Sequence, residues 1–187
     1  MKLSAKTFGK ADRRAEIKNI YLEAFPAEER LPWWVLRFLT VRRGIDITAY
    51  YEADRLCGFT YGITAGNILF LLFFAVKDEL RGKGYGSAIL GYLKENHPGK
   101  TILLNVEPLD PKADNFEERV RRFRFYEKNG FYDTQYDIEE VGGVFRVLAT
   151  APSFEQKEYL RVFGRMSFCF WKPKITRTGA EQEGEQR

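Results

Sequence analysis

The chain has 187 residues, of which 44% are hydrophobic, 16% aromatic and 30% charged, and its formal net charge is +4. This length suits a single domain with its own core, and the composition is that of a globular, soluble protein. The longest apolar run, residues 68–76, is well short of the roughly 20 residues that a membrane helix needs, so we expect no membrane segment. The N-terminal sequence has no apolar stretch typical of a secretory signal, which favours a cytoplasmic location.

The cysteine and histidine content argues against a metal centre or a histidine-based catalytic triad. The chain has two cysteines, Cys57 and Cys169, and one histidine, His97. Neither cysteine belongs to a CxxC or to another cluster of metal ligands, and His97 lies where a helix is expected to end, which suits a capping or surface role. We therefore predict no metal cofactor.

The first half of the chain is predicted to form a short strand, two helices and three further strands. Helical spacing of apolar residues indicates the helices, and runs of β-branched and aromatic residues indicate the strands. The last strand is fully apolar, as expected for a strand covered on both faces. In chain order, the elements are a strand at 3–7, helices at 11–25 and 27–43, and strands at 46–52, 56–64 and 68–76.

The second half begins with a glycine-rich turn and continues with alternating helices and strands. Asn115 is positioned to cap the second of these helices, and Asn129-Gly130 is expected to end it. A polar tail at 174–187 has little to bury, so we expect it to be disordered. The ordered elements are a helix at 87–96, a strand at 101–107, a helix at 115–128, strands at 131–140 and 144–150, and an amphipathic segment at 154–170.

Three glycines alternate with other residues in the turn LRGKGYGS, between a predicted strand and a predicted helix. The turn lacks the GxxxxGK[ST] pattern of nucleoside-triphosphate loops, because Lys83 lies between glycines and is followed by Gly84 rather than by Ser or Thr. Gly82, Gly84 and Gly86 give GxGxG rather than the GxGxxG of dinucleotide-binding folds. What remains is R-x-x-G-x-G, starting at Arg81, in which consecutive backbone amides at a helix N-terminus can hold a pyrophosphate.

This pattern resembles the acetyl-CoA loop of the GNAT N-acetyltransferase family, whose motif is Q/R-x-x-G-x-G/A. The resemblance continues in FFAVKDELRGKGYGSAILGYL, TILLNVEP and RFYEKNGF, the last of which is similar to the family signature L-Y-x-K-x-G-F. It covers roughly residues 1–150 and looks most like a bacterial subgroup. The element order predicts an α/β fold with helices on both faces of the sheet. The resemblance implies the family's mixed, mostly antiparallel, twisted sheet in a domain at 1–150, with a helical extension packed on it at 151–173 and the tail at 174–187.

The resemblance also implies acetyl-CoA as the cosubstrate and assigns residues to it. Backbone groups of Phe74, Ala75 and Val76 would pair with the pantetheine amides like an added strand, and a backbone N–H there would polarise the thioester carbonyl. The pyrophosphate would lie against the glycine turn, which consists of Arg81, Gly82, Lys83, Gly84, Tyr85, Gly86 and Ser87.

For proton transfer, the resemblance implies a general acid. Tyr126 occupies the family's tyrosine position in FYEKNGF and would protonate the departing CoA thiolate, since a tyrosine with an ordinary pKa of about 10 is protonated at neutral pH. Some family members carry a glutamate at the position of Phe70, so that base is absent here. Glu107, at the end of the next strand, could contact the acceptor, although a water chain would need no dedicated base.

Four residues early in the chain are candidates for the acceptor pocket. The adjacent tryptophans point to different faces of the predicted helix, so at most one of them can lie wholly in the core, and the other could line the pocket. The two glutamates that precede them could lie on the acceptor side, although such carboxylates are more often solvated surface residues or charges at a helix N-terminus. These candidates are Glu28, Glu29, Trp33 and Trp34.

The segment RVRRFR, residues 119–124, is the strongest basic cluster. On a helix, Arg121, Arg122 and Arg124 would face solvent within reach of nearby glutamates, so we expect a solvated face. Contact with the 3′-phosphate of CoA and binding of nucleic acid are alternatives.

Three functions are compatible with these features. The favoured one is an acetyl-CoA-dependent N-acetyltransferase that acts on a primary amine, with a small molecule preferred over a protein as acceptor. The second is a non-catalytic module that binds acetyl-CoA, and the third is a nucleic-acid-binding protein that uses the basic helix. The retained Tyr126 favours the first function over the second. Nucleic acid and membranes are not expected as partners, and the protein is expected to be a monomer or a homodimer.

Overall fold

A computed structural model describes residues 1–10, 13–140, 143–166 and 173–178. The chain divides into two compact units, Met1–Lys100 and Thr101–Arg187. No helix in the described part of the chain is both long and apolar enough to cross a membrane.

The first unit contains a four-stranded sheet and three α-helices. Its strands lie side by side in chain order, and each pair of neighbours is antiparallel. Two-residue turns connect the second strand to the third and the third to the fourth, as expected for tight hairpins. The elements are β1 (Ser4–Thr7), α1 (Arg14–Ala24), α2 (Trp33–Leu39), β2 (Ile45–Glu52), β3 (Arg55–Ala65), β4 (Ile68–Val76) and α3 (Tyr85–Asn96).

Different helices cover the two faces of this sheet. On one face, aromatic side chains from the strands pack on α1, and the ring of Tyr21 lies 5.0 Å from that of Phe73. On the other face, a Cβ built at Gly58 would lie 3.2 Å from the side chain of Ile89 in α3. Side chains alternate between the faces along each strand, so the unit has one aromatic layer under α1 and α2 and a second layer under α3.

The second unit also contains a four-stranded antiparallel sheet, in the order β5-β7-β6-β8. The amphipathic helix α5 buries Tyr159, whose hydroxyl donates a hydrogen bond to the Asn105 side chain of β5 (2.6 Å). The elements are β5 (Thr101–Val106), α4 (Phe116–Lys128), β6 (Tyr132–Glu140), β7 (Gly143–Ala149), α5 (Gln156–Met166) and β8 (Lys174–Arg177).

The predicted fold class and the order of elements up to β7 are confirmed. The fold is mixed α/β, and the strand pairs within each unit are antiparallel. The second helix is shorter than predicted, because α2 spans Trp33–Leu39 rather than residues 27–43, and Ala27–Glu29 form a separate 3-10 turn. Gly44, with a φ of 85°, turns the chain into β2, and this left-handed conformation is one that a helix cannot continue through.

The prediction of a disordered tail at 174–187 is wrong for its first residues. Lys174–Arg177 form β8, in which Ile175 lies opposite Ile138 of β6. The hydroxyl of Thr178 donates to the carboxylate of Asp137 (2.8 Å). A strand this short, with one isoleucine among polar residues, carries almost no periodic signal. Cys169 and the predicted segments at 141–142, 167–172 and 179–187 lie outside the described residues.

Candidate functional site

The glycine turn connects β4 to α3 and takes its shape from two left-handed glycines. Gly82 has a φ of 72° and Gly84 a φ of 86°, and a Cβ at either position would meet nothing within 4 Å. The glycines are therefore required by the backbone conformation rather than by close packing, since other residues are strained at these angles. Gly84 precedes the first helical residue, Tyr85.

Most backbone amides of this turn point to no acceptor within the described residues. The amide of Lys83 donates to the Leu80 carbonyl (3.3 Å), and helix α3 starts its own bonding with Ala88, whose amide donates to Gly84 (3.0 Å). The N-cap side of α3 has no capping side chain. The amides of residues 82 and 84–87 are consequently open, and such a row at a helix N-terminus binds an anion through both hydrogen bonds and the helix dipole.

A pocket of about 320 Å³ opens beside the start of this turn. The guanidinium of Arg81, the first residue of the R-x-x-G-x-G pattern, forms an exposed ion pair with Asp78 (3.1 Å). Because exposed ion pairs are weak, an anionic ligand in the pocket could replace Asp78 as the partner of Arg81. Its walls come from the end of α1 and the end of β4 and are formed by Ile20, Glu23, Ala24, Val76, Asp78 and Arg81.

The chain just before the turn is tied to α1. The ammonium group of Lys77 donates to Oε2 of Glu16 (3.0 Å), and the Lys77 amide donates to the Cys57 carbonyl of β3 (2.9 Å). The hydrogen bond from Lys77, followed by the charges of Lys77 and Arg13, lowers the pKa of Glu16 against the opposing effect of burial. The exit from β4 thus has a fixed position within the first unit.

The end of β4 holds the predicted pantetheine-binding residues Phe74, Ala75 and Val76. They pair with β3, where Val76 lies opposite Gly58. A Cβ at Gly58 would overlap the Ala75 carbonyl oxygen, so glycine is required there by close backbone approach. A glycine inside a strand pattern is the sequence signal that could have predicted this residue.

Tyr126, the predicted general acid, is buried near the end of α4. Its ring packs against Phe125 (5.2 Å) and Phe131 (5.5 Å). Burial raises the pKa of Tyr126 to about 12, and the nearby charge of Arg122 opposes part of this shift. A tyrosine with this pKa is protonated at neutral pH, so Tyr126 can act there as a proton donor.

Glu107, the predicted acceptor contact, lies in a cluster of opposite charge. Its carboxylate is bonded by Arg119 (2.7 Å) and Arg122 (3.0 Å), and Asn115 donates to both oxygens (3.2 and 3.3 Å). Burial by itself would raise the pKa of Glu107, but Asn115 and the two guanidinium groups together hold it below the ordinary value. A carboxylate stabilised in its charged form is a weak base.

In this cluster, the side chains of Asn115 and of the arginines of α4 make contacts that differ from the predicted ones. Asn115 is the N-cap residue of α4, but its side chain makes no capping bond and instead accepts from Arg119 (2.7 Å). Arg122 also pairs with Glu118 one turn earlier (3.0 Å). The expected solvated face holds for Arg121 and Arg124, which are exposed, whereas Arg122 is half-buried and, like Arg119, belongs to the Glu107 cluster.

The four predicted acceptor residues lie in and just before α2. Trp33 packs on Phe8 (5.8 Å) and Tyr21 (5.5 Å), whereas Trp34 is 71% exposed. The two side chains therefore point to different faces, as their adjacency predicts. Glu28 and Glu29 lie in an exposed 3-10 turn. Their role toward an acceptor stays a prediction.

The described residues contain no group of three or more His, Cys, Asp or Glu side chains that could hold a metal ion. Phe70, which the resemblance aligns with the glutamate of some family members, is buried in the core. The single described cysteine, Cys57, is also buried.

Comparison with known proteins gives one domain match and several similar structures. Residues 43–133 match the acetyltransferase (GNAT) domain. A protein of Bacillus subtilis (strain 168), named "Putative acetyltransferase YjbC", is 30% identical over 117 residues, which are 63% of this chain and 50% of that protein. The chain thus spans about half the length of this curated relative.

Two solved structures share the fold at low sequence identity. A GNAT-family protein from Bacteroides thetaiotaomicron has a TM-score of 0.68 at 22% identity and covers 89% of this chain and 96% of its own. An aminoglycoside 6′-N-acetyltransferase complexed with coenzyme A has a TM-score of 0.58 at 19% identity and covers 83% of this chain and 100% of its own.

Proposed function

We propose that the chain, of which residues 43–133 match the acetyltransferase (GNAT) domain, transfers an acetyl group from acetyl-CoA to a primary amine. The open row of amides at 82 and 84–87 at the N-terminus of α3 carries this proposal. Several N–H donors that have no internal acceptor match the several oxygens of a pyrophosphate. Coenzyme A in a structure of the same fold supports the same ligand class.

The reactive end of the donor would lie along the end of β4. Backbone groups of Phe74, Ala75 and Val76 would pair with the pantetheine amides, as the family resemblance implies. An N–H there would stabilise the oxyanion that forms when the amine attacks the thioester carbon. Gly58 supports this assignment, because it leaves the Ala75 carbonyl in its position in the strand.

In the reaction, the lone pair of a neutral amine attacks the thioester carbon and the C–S bond breaks. Tyr126 would give its hydroxyl proton to the departing CoA thiolate. Its pKa of about 12 keeps it protonated over the physiological range, and a thiolate buried beside it would also have a raised pKa. A thiolate with a raised pKa is a stronger base, and this offsets part of the rise in the tyrosine pKa when the proton moves along a direct hydrogen bond.

The proton that the amine loses would pass to water rather than to Glu107. That carboxylate is held in its charged form by Arg119 and Arg122, so its basicity is low and its role is to organise the start of α4. The acceptor is proposed to be a small amine-bearing molecule, the class acted on by the aminoglycoside enzyme of similar fold. Exposed Trp34 and Glu28 are candidates for its contacts.

The proposal is tested by following free thiol release from acetyl-CoA with a panel of primary amines, with product mass confirming the acetyl group. Turnover that depends on the amine supports acetyl transfer. CoA binding with no turnover against any amine in the panel would favour the non-catalytic module. Salt-dependent binding to DNA or RNA without any response to acetyl-CoA would overturn the proposal.

A further inference from the structure

The side chain of Tyr85 links the glycine turn to the end of β2. Its hydroxyl donates to Oε2 of Glu52 at 2.5 Å. Its ring is buried in a small cluster with Cys57 and Leu80, against which Val76 also packs. Tyr85, the first residue of α3, is thus held in place both by the packing of its ring and by the hydrogen bond of its hydroxyl.

We infer that Tyr85 and Glu52 form a brace that holds the amides of residues 82–87 in the arrangement that binds the pyrophosphate. The two side chains have a positioning role, because they act through the backbone of the turn, in which the Tyr85 amide is itself one of the donors. This inference rests on the proposed binding of acetyl-CoA and adds to it the side chains that keep the turn in shape.

The turn needs such a brace because its sequence is flexible. Gly82 and Gly84 can reach both positive and negative φ values, so an unsupported turn would populate many conformations and would lose that entropy on binding. If only a fraction of molecules has the competent turn, the apparent dissociation constant rises by the inverse of that fraction. A bond that fixes Tyr85 fixes the residue immediately after Gly84.

The Tyr85–Glu52 bond is well suited to this role. A short O–H···O⁻ bond to a carboxylate is among the stronger hydrogen bonds in proteins. The same bond raises the pKa of the Tyr85 hydroxyl, with burial acting in the same direction, so the donor keeps its proton at neutral and mildly alkaline pH. Glu52 lies at the last position of β2, directly before a two-residue turn, and the sheet limits its movement.

A second contact, between the same hairpin and the 3-10 turn at Asp78–Leu80 that precedes the glycine turn, provides a matched control. Arg55 forms an ion pair with Glu79 at 3.3 Å, but the two side chains are 51% and 61% exposed. Exposed pairs of this kind contribute little because water and salt screen them. Arg55→Gln should therefore leave CoA binding within about twofold of the wild type.

The test measures the dissociation constant of CoA by calorimetry for the full-length wild type and variants. Tyr85→Phe and Glu52→Ala should each weaken binding about three- to tenfold, and the double variant should be no weaker than either single one, since all three remove the same bond. Glu52→Gln keeps an acceptor oxygen and should recover most of the affinity. With an active amine, the loss should fall on the KM for acetyl-CoA, with kcat within about twofold.

Amide hydrogen exchange without ligand tests the brace independently of CoA. Tyr85→Phe should speed exchange at residues 88–90, the first hydrogen-bonded amides of α3, while protection of the strands is unchanged. Equal CoA affinity and equal exchange in Tyr85→Phe and the wild type would overturn the brace. A lower melting temperature with unchanged affinity would also overturn it, since it would show a merely structural role. If the wild type binds no CoA, the proposed function is wrong. The exchange experiment needs no CoA, so unchanged exchange in Tyr85→Phe would then refute the brace on its own.

Discussion

The glycine turn and the basic helix α4 both offer positive charge to an anion, but they do so in opposite ways. In the turn, the Arg81 guanidinium is paired with Asp78, and the donors offered to an anion are the backbone amides at 82 and 84–87. Helix α4 carries four arginines between residues 119 and 124, yet Arg119 and Arg122 are bound to Glu107, and Arg122 also to Glu118. An anion site lies where donors lack internal partners, which is not always where charge is densest in the sequence.

The largest expected effect is on kcat and comes from Tyr126, the tyrosine of α4, rather than from the arginines of that helix. Tyr126→Phe should lower kcat about 100-fold, since it removes the proposed proton donor, while the KM for acetyl-CoA stays within about twofold. Steady-state kinetics with the best amine measures both values. Phe125→Leu, which changes the neighbouring ring but no proton donor, is the control, and full turnover by Tyr126→Phe would show that the assignment is wrong.

The raised pKa of Tyr126 also predicts how activity depends on pH. With a pKa of about 12, Tyr126 stays protonated across the usual assay range, so it cannot cause a loss of activity between about pH 7 and 10. The kcat/KM profile should rise as the amine loses its proton and then level off. A falling limb near pH 9 that disappears in Tyr126→Phe would contradict the raised pKa.

Glu107→Gln tests whether the arginines of α4 are occupied within the protein. The change should lower the free energy of unfolding by about 2 kcal/mol, roughly thirtyfold in the folding equilibrium, because two partly buried guanidinium groups lose their carboxylate. The folded-state pKa of Glu107 lies below its ordinary value of 4.5. Its stabilisation is therefore complete above that value and is lost as the pH falls through the folded pKa.

Urea denaturation at neutral and acid pH measures both effects. The gap in stability between the wild type and Glu107→Gln should be largest near neutral pH and should close in acid. A gap independent of pH would mean that the ion pairs of Glu107 do not stabilise the fold. Glu117→Gln, at an exposed position of the same helix, is the control and should change stability by less than about 0.5 kcal/mol.

Gly84→Ala tests the other side of the comparison, the shape of the turn. At a φ of 86°, alanine costs about 1–2 kcal/mol, so CoA binding should weaken about tenfold even though the added methyl meets open space. Gly91→Ala, inside α3 and also facing open space, is the matched control and should keep the affinity. Equal affinities for the two variants would show that the left-handed turn is not needed.

The smallest effect is expected where the sequence is most basic. Arg121→Gln combined with Arg124→Gln removes the two exposed arginines of α4 and should leave CoA affinity within about twofold. A tenfold loss would show that α4 binds an anionic group of CoA, most simply its 3′-phosphate. It would contradict the conclusion that the glycine turn, and not α4, binds the anion. Calorimetry at two salt concentrations distinguishes direct contact from long-range attraction.

Much of the fold was predictable because it depends on short-range patterns. Apolar periodicity and glycine or proline breaks predict the helices and strands of both units in their correct order. The predicted bounds of the second helix were wrong at both ends, because residues 27–43 form a 3-10 turn at Ala27–Glu29 and then the short helix α2 at Trp33–Leu39. Strand β8 was missed because its pairing with β6 depends on contacts distant in sequence, which local periodicity does not contain.

The candidate site was predictable in its backbone but not in its side-chain partners. The glycine spacing predicts the turn, because positive φ is a property of glycine itself. The partners of Glu107 were not predictable, since Arg119 and Arg122 lie more than ten residues away and only the fold brings them to the carboxylate. Glu52 and Tyr85, 33 residues apart, were missed for the same reason.

The central claim is that the open amides of the glycine turn bind the pyrophosphate of the acyl donor. A titration of ¹⁵N-labelled protein with CoA tests it most directly, with amide signals of residues 82–87 and side-chain Nε signals of Arg121 and Arg124 followed together. The account predicts saturable shifts in the turn with the arginine signals nearly unchanged. Saturable shifts of the two arginines with no change at residues 82–87 would contradict it.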